Sequence, residues 1–213
     1  MEEQIMNMPA VALRGLTILP GMIAHFDISR ERSLRAVEEA MEQDQKIYLV
    51  TQRNVDSEDP TQEDLYQMGI VADIKQVVRL QNDVVRILVD GISRAALLGF
   101  TGNEKYLEAE ICYCDSNADS LPEDLREAML LGVREAFHRY AAVVGKISKE
   151  LIRQIDQYED LEKLIDYVTN NLPVSYELKQ QVLEAEDIND RYQVIVSLLL
   201  SQVCLLYTSD AAD

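Results

Sequence analysis

The chain has 213 residues, 47% of them hydrophobic and 27% charged, with few glycines and prolines. That is enough length and apolar content to bury a core without disulfides, and it excludes a collagen-like or largely disordered chain. Twenty basic against 38 acidic side chains leave a formal charge of −18, which disfavours sequence-independent nucleic-acid binding and repels anionic lipid. No apolar run approaches the roughly 20 residues that span a bilayer, and Met1-Glu2-Glu3-Gln4 is acidic where a secretory leader is basic. A cytoplasmic location without membrane partners is expected. The odd, sparse set Cys112, Cys114 and Cys204 fits a reducing compartment, and no second Cys or His pair stands at metal-ligand spacing, so packing thiols are expected.

Period-two patterns dominate the first half. Residues 8–13 are apolar and run into Arg14-Gly15, and residues 22–28 and 46–51 read as short aliphatic strands. Between the last two, Leu34, Val37, Ala40 and Met41 fall at helical spacing behind Ser29 and Arg30, with Glu38, Glu39 and Glu42 on the other face. Asp59-Pro60 reads as an N-cap with proline at the first helical position, opening a short turn through Leu65-Tyr66. The longest strand patterns cover residues 70–80 and 84–100, joined by turn chemistry at Leu80-Gln81-Asn82-Asp83. Gly91 marks a bulge or bend in the second, and residues 106–114 complete about six strands, enough to curl into a small barrel that the helices plug or flank.

Beyond residue 120 the period changes to 3.6. Ser120-Leu121-Pro122-Glu123 has the S-x-x-E form of a capping box, followed by a stripe of Leu125, Met129, Val133, Phe137, Tyr140 and Val144 that Gly145 ends. Shorter helices are expected at 151–155 and 161–172, the latter stopped by Pro173. Another, capped by Ser175, carries Leu178 and Val182. Ile188, Tyr192, Ile195 and Leu199 then recur at four, three and four, the spacing of a packed helix or a coiled-coil seam. The second half therefore reads as a helical bundle.

Signatures of catalysis are missing from the sequence. It contains no G-x-x-x-x-G-K-[ST], no G-x-G-x-x-G and no G-x-S-x-G. His25 and His138 fall in different halves, each read as a surface or partly packed residue rather than a general base. Acid pairs such as Glu38 with Glu42 and Asp156 with Asp160 read as solvated helix faces. What stands out is Arg30, Glu31, Arg32 and Arg35, the densest basic cluster of an acidic chain, at the entrance to the first helix. It is either a solvated helix start or a contact surface for an unfolded polypeptide or a sister subunit.

The order of motifs resembles the N-terminal domain of the Lon family of ATP-dependent proteases. Met8-Pro9-Ala10-Val11-Ala12-Leu13-Arg14-Gly15 with Leu19-Pro20-Gly21 is similar to that family's opening strand and proline turn, and Arg30-Glu31-Arg32-Ser33 to its G-R-E-K-S helix entry. Ile47-Tyr48-Leu49-Val50-Thr51-Gln52, Asp64-Leu65-Tyr66-Gln67-Met68-Gly69-Ile70-Val71-Ala72 and Leu88-Val89-Asp90-Gly91-Ile92-Ser93-Arg94-Ala95 resemble its next strand, its D-L-Y-x-x-G-x-x-A signature and its L-V-E-G-x-x-R-A strand. The likeness continues through Leu172-Pro173 and Lys179-Gln180-Gln181-Val182-Leu183-Glu184, covering about residues 5–203. Gln81-Asn82-Asp83 departs from the usual P-D-G turn, and residues 156–162 lack the usual D-D-P.

The resemblance implies an α+β protein: a PUA-like small β-barrel with an inserted helix over residues 5–118, followed by an all-α helical bundle over 119–203. Residues 204–213 resemble a translated sequencing-adapter frame that interrupts an amphipathic helix, and are set aside as an artefact. The parent implied is a hexameric, ATP- and Mg-dependent protease with a Ser–Lys dyad. Those parts are expected downstream, so this fragment has no catalytic, cofactor or metal residues of its own. Its implied role is to hold unfolded or tagged proteins and to organise sister subunits, with Arg30, Glu31, Arg32 and Arg35 as contact residues. A free-standing LON-domain adaptor or ligand-binding protein without ATPase or protease activity is the alternative.

Overall fold

The computed structural model describes residues 5–114 and 118–210. It divides into two compact units, Met1–Asp115 and Ser116–Asp213. The first unit holds six strands among its described residues: β1 (Ile5–Leu13), β2 (Ile23–Ile28), β3 (Lys46–Thr51), β4 (Met68–Arg79), β5 (Val85–Phe100) and β6 (Glu108–Tyr113), with helix α1 (Glu31–Glu42) between β2 and β3. They pair in the order β2-β5-β4-β3-β1-β6, and β6 pairs back onto β5. Five strands thus close a ring, leaving β2 as an outer strand.

The length of β5 makes closure possible. Its 16 residues carry β2 along residues 85–90 and β6 along 95–100, while β4 follows both stretches. Between them the register against β4 slips at Val71/Ala72, where Gly91 and Ser93 face successive β4 residues and Ile92 is the extra one, so the bulge bends the strand from one neighbour to the next. Among the described strands only β1 and β3 run parallel, as the crossover through α1 requires. Ala10, Ala12, Tyr48, Val50, Val71, Ala95, Leu97, Ala109 and Ile111 fill the interior. The hairpin turn has Asn82 (φ 60) and Asp83 (φ 57) both left-handed, with Val84 N donating to Gln81 O at 3.4 Å around them and Leu80 N donating to Val84 O at 2.8 Å, so the closing bond encloses three residues, 81–83.

Two local expectations need correction here. The buried face of α1 is Ser33, Ala36, Val37 and Ala40, whereas Leu34 is half-buried and Met41 exposed. The face is rotated because small side chains let the helix axis lie close to β1 and β3, and Leu34 and Met41 flank that contact. Pro60 does not open a helix. The cap is Thr61, whose backbone N–H and hydroxyl both bond Asp64 (3.0 and 3.1 Å) around a 3₁₀ turn, Gln62–Asp64.

The second unit contains α2 (Glu123–Val144), α3 (Lys149–Gln157), α4 (Leu161–Asn171), α5 (Tyr176–Glu184) and α6 (Ile188–Asp210). Pro122, not Ser120, is the residue before α2, and Ser120 closes a preceding 3₁₀ turn, Ala118–Ser120. Proline at the cap position leaves the S-x-x-E spacing two residues out of place. The core of α2 is Met129, Leu130, Val133, Ala136, Phe137, Tyr140 and Ala141, with Leu125 exposed; Gly145 ends it at φ 66. Asp156 and Asp160 do not share a helix. Asp156 lies on α3 and bonds His138 at 2.8 Å, while Asp160 caps α4 through Lys163 N at 3.0 Å. Ile188, Ile195 and Leu199 of α6 are buried, and Tyr192 lies against Gly132 of α2, where a Cβ would come within 2.3 Å of the phenol oxygen. The helix continues past Val203 to Asp210, without the interruption expected there, and Cys204 and Leu205 on that stretch are exposed.

Candidate functional site

The first unit buries a polar residue where its strand pattern calls for an apolar one. Tyr48 and Val50 of β3 point into the barrel core, and Gln52, next in that alternation, is fully buried. A buried amide must find partners. Its oxygen accepts from Arg30 Nη2 at 2.7 Å, and its nitrogen donates to the carbonyls of Asn54 (3.0 Å) and Ser57 (3.1 Å). The Ser57 carbonyl also receives Arg14 Nη2 at 2.9 Å and Arg30 Nη2 at 3.5 Å. Two guanidinium groups from distant parts of the chain therefore converge on one oxygen. Beside this network, Thr51 Oγ1 donates to Leu16 O at 2.9 Å and meets Thr17 Oγ1 at 3.1 Å, tying the segment after β1 to the end of β3.

A cavity of about 500 Å³ opens beside these arginines, lined by residues 11–14 of β1 and its exit, Leu16, residues 26–30 of β2 and its exit, Ser33 and Glu58. Burial and the neighbouring Arg14 charge pull the Arg30 guanidinium below its ordinary range, with Asp59 and Glu58 pulling the other way. Asp27 on the same wall is held below the usual carboxylate range by Arg86, which grips it through two bonds of 2.7 and 2.9 Å.

The side chains of the cluster at 30–35 turn to different partners. Arg30 turns toward Gln52 and the cavity. Arg32 pairs with Asp59 at 3.3 Å and reaches the Asn103 carbonyl at 3.3 Å, its Nε buried without a partner. Arg35 pairs with Glu31 along the exposed side of α1. Arg14, Gln52 and Ser57, which the sequence reading did not single out, join Arg30 instead. The one signal for them was a glutamine at an inward position of an apolar strand.

Several motif residues prove to be packing devices. Gly69 leaves room for Tyr48, whose ring a Cβ would approach to 2.5 Å, and the Tyr48 hydroxyl then donates to Ala95 O at 3.0 Å. Asp64 closes the Thr61 capping box, Leu65 is buried in the core, and Arg53 stacks on Tyr66 at 4.8 Å. Gly91 approaches the Leu19 carbonyl too closely for any side chain. His25 is exposed on β2, and His138 bonds Asp156. Cys114 Sγ lies 3.6 Å from Met68 Sδ. Among the described residues no group of three or more His, Cys, Asp or Glu is placed to hold a metal ion, and no helix is long and apolar enough to cross a membrane.

A family model described as the ATP-dependent protease La (LON) substrate-binding domain matches residues 7–201. Among curated relatives, the Lon protease of Lachnoclostridium phytofermentans is 34% identical over 203 residues, 95% of this chain and 25% of its own. That of Clostridioides difficile is 35% identical over 203 residues, 94% of this chain and 26% of its own. Lon protease 1 of Bacillus subtilis is 30% identical over 198 residues. The chain spans about a quarter of the length of these relatives. The N-terminal domain of Mycobacterium avium complex Lon protease superposes with a TM-score of 0.74 at 18% identity, covering 91% of this chain and 98% of that one. A Lon N-terminal domain protein from Xanthomonas campestris gives 0.62 at 12% identity, covering 90% and 98%. At those identities the two structures speak for the fold alone. With a family model covering nearly its whole length, the chain belongs to the substrate-binding domain family of ATP-dependent protease La (Lon).

Proposed function

We propose that this chain is the substrate-recognition and assembly module of an ATP-dependent Lon-type serine protease acting in cytoplasmic protein quality control, and that it is not catalytic by itself. The observation that carries the reading is one of proportion. Relatives named Lon protease align with nearly all of this chain over only a quarter of their own length, and the matching family model is that of the substrate-binding domain. ATP hydrolysis and peptide cleavage then belong to other parts of the parent.

The physical task of such a module is to tell unfolded chains from folded ones. Unfolded polypeptides offer unpaired backbone and apolar side chains, so a receptor needs an open strand edge or apolar groove with a polar rim. Each contact can be weak when several copies in a hexameric ring act together. We assign the contact to the cavity side of the barrel, with Arg30 on its wall and Arg32, Arg35 and Glu31 on the adjoining surface.

The test is crosslinking of a reduced and alkylated globular protein, compared with its native form, to the full chain. The expected result is labelling of the barrel unit by the unfolded form alone. Labelling confined to α2–α6 would reject the placement, and equal capture of native and unfolded forms would reject the role.

A further inference from the structure

The cavity beside Arg14 and Arg30 has a property that its volume alone does not convey. It touches four consecutive residues, 11–14, and five more, 26–30. Successive side chains of a strand point to opposite faces, so a cavity that meets every residue of a run lies along the strand's edge. Neither edge carries a further strand among the described residues. β2 pairs with β5 only. β1 pairs with β6 over Ile5–Pro9 and with β3 on its other side, which leaves the second edge of residues 11–13 without a strand. Unpaired strand edges are templates for another extended chain.

The arginine end of this slot carries unspent positive charge. Within the same unit Arg32, Arg35, Arg79 and Arg86 are each ion-paired with a carboxylate. Arg14 and Arg30 instead share the Ser57 carbonyl, and among the described residues neither forms an ion pair. Each guanidinium offers five N–H donors, more than these bonds use. Asp59, which pairs with Arg32, and Glu58, on the cavity wall, both lie within electrostatic range of Arg30 and offset part of the field. Asp27 is already engaged by Arg86.

We propose that this slot receives the C-terminal end of an extended polypeptide, its backbone along the free edges of β1 and β2 and its terminal carboxylate on Arg14 and Arg30. At about 3.3 Å per extended residue, the four-residue run beside β1 matches a tail of about four residues. Leu16 and Phe26, both half-buried, line the slot and favour apolar side chains next to the terminus. A carboxylate held by two forked guanidinium groups makes charge-assisted bonds that a neutral amide cannot make. The proposal rests on the substrate-recognition reading above and adds to it a preference for chain ends.

The test uses the full chain and a fluorescein-labelled ten-residue peptide with an apolar C-terminal tail, prepared as the free acid and as the amide, with binding followed by anisotropy at low salt. The free acid is expected to bind about tenfold or more tightly than the amide, as loss of a charge-assisted bond implies. Arg14→Gln, at an exposed position, is expected to remove most of that difference by weakening the free acid more than the amide. Glu58→Gln is expected to tighten the free acid, a readout that survives even if Arg30 variants fold poorly. Equal binding of acid and amide, with unfolded protein still captured, overturns the chain-end proposal and leaves the substrate role standing. Amide peptides with an internal glutamate binding as well as the free acid also overturn it. If neither peptides nor unfolded protein bind, the substrate role falls as well.

Discussion

Gly91→Ala tests whether the bulge in β5 is a designed close approach. A Cβ at Gly91 would stand 2.4 Å from the Leu19 carbonyl oxygen and 3.2 Å from Ile18 Cγ2, so the two backbones must part by about 1 Å to reach ordinary contact. The neighbour cannot yield easily, because Ile18 and Leu19 are 2% and 0% exposed in the core. The contact is also clamped: Gly21 N donates to Gly91 O at 2.8 Å, and Gly91 N to Met22 O at 3.0 Å. Losing both bonds costs about 1 kcal/mol each, and residual overpacking adds about 1–3, for a total of about 3–5 kcal/mol. In a unit of this size that corresponds to a fall in Tm of at least about 12 °C. The internal control is Gly99→Ala on the same strand, whose Cβ would meet Glu110 Oε2 at an ordinary 3.6 Å. Thermal unfolding, with hydrogen exchange to assign the loss to β4 and β5, reads the difference. A Gly91→Ala protein that melts within about 2 °C of its parent, or no lower than Gly99→Ala, would refute the close-approach account.

Arg191 of α6 is 1% exposed and donates to the carbonyls of Ala185 (3.0 Å) and Glu186 (2.9 Å) while pairing with Glu162 of α4. Arg191→Met strips all of these partners and is expected to cost about 3–5 kcal/mol; Arg191→Lys, a point charge, is expected to recover only part of it, as urea midpoints of the full chain will tell. The Asp27–Arg86 pair carries a pH dependence of known sign. The folded carboxyl titrates below its ordinary value of 3.8, so the stabilisation is complete above that value and is lost as the pH falls through the folded one. The gap in Tm between wild type and Asp27→Asn is therefore expected to persist at pH 5 and to close below about pH 4; a gap that widens as the pH falls below about 4 would contradict the pairing.

β2 and β6 were legible because alternating side chains bury one face, β1, β3 and β4 because they carry continuous buried aliphatic runs, and the turn at Asn82-Asp83 because few residues accept two successive left-handed positions. Helix faces were read less well wherever size outweighed hydrophobicity. Ser33 and Ala36 carry the buried face of α1 although neither is strongly apolar, because close approach to the sheet selects small volume. The Ser120 capping box failed for a related reason: Pro122 cannot continue backward into a helix, so the helix begins after it. Closure of the sheet had no local signal at all. It depends on β5 exchanging β2 for β6 halfway along, a long-range choice that the bulge at Ile92 permits but that no short window encodes.

The site was least legible where the sequence looked richest. Arg30, Arg32 and Arg35 are close in number, but Arg30 is the extended residue before α1 and turns back toward Gln52, while Arg32 and Arg35, three apart on one helix face, are drawn to different carboxylates. One faces the cavity, one a loop carbonyl and one solvent. Arg14, Arg30, Gln52 and Ser57 assemble from four separate stretches, where period, charge density and motif carry no information about one another. The motifs that identify the family report something else. Gly69 admits Tyr48, Gly91 admits the Leu19 carbonyl, and Asp64 closes a turn, all demands of a small barrel whose strands must approach closely. A likeness built on such residues establishes the fold strongly and the binding surface weakly, and that is why the cavity wall, rather than the signature, is where substitutions will separate binding from stability.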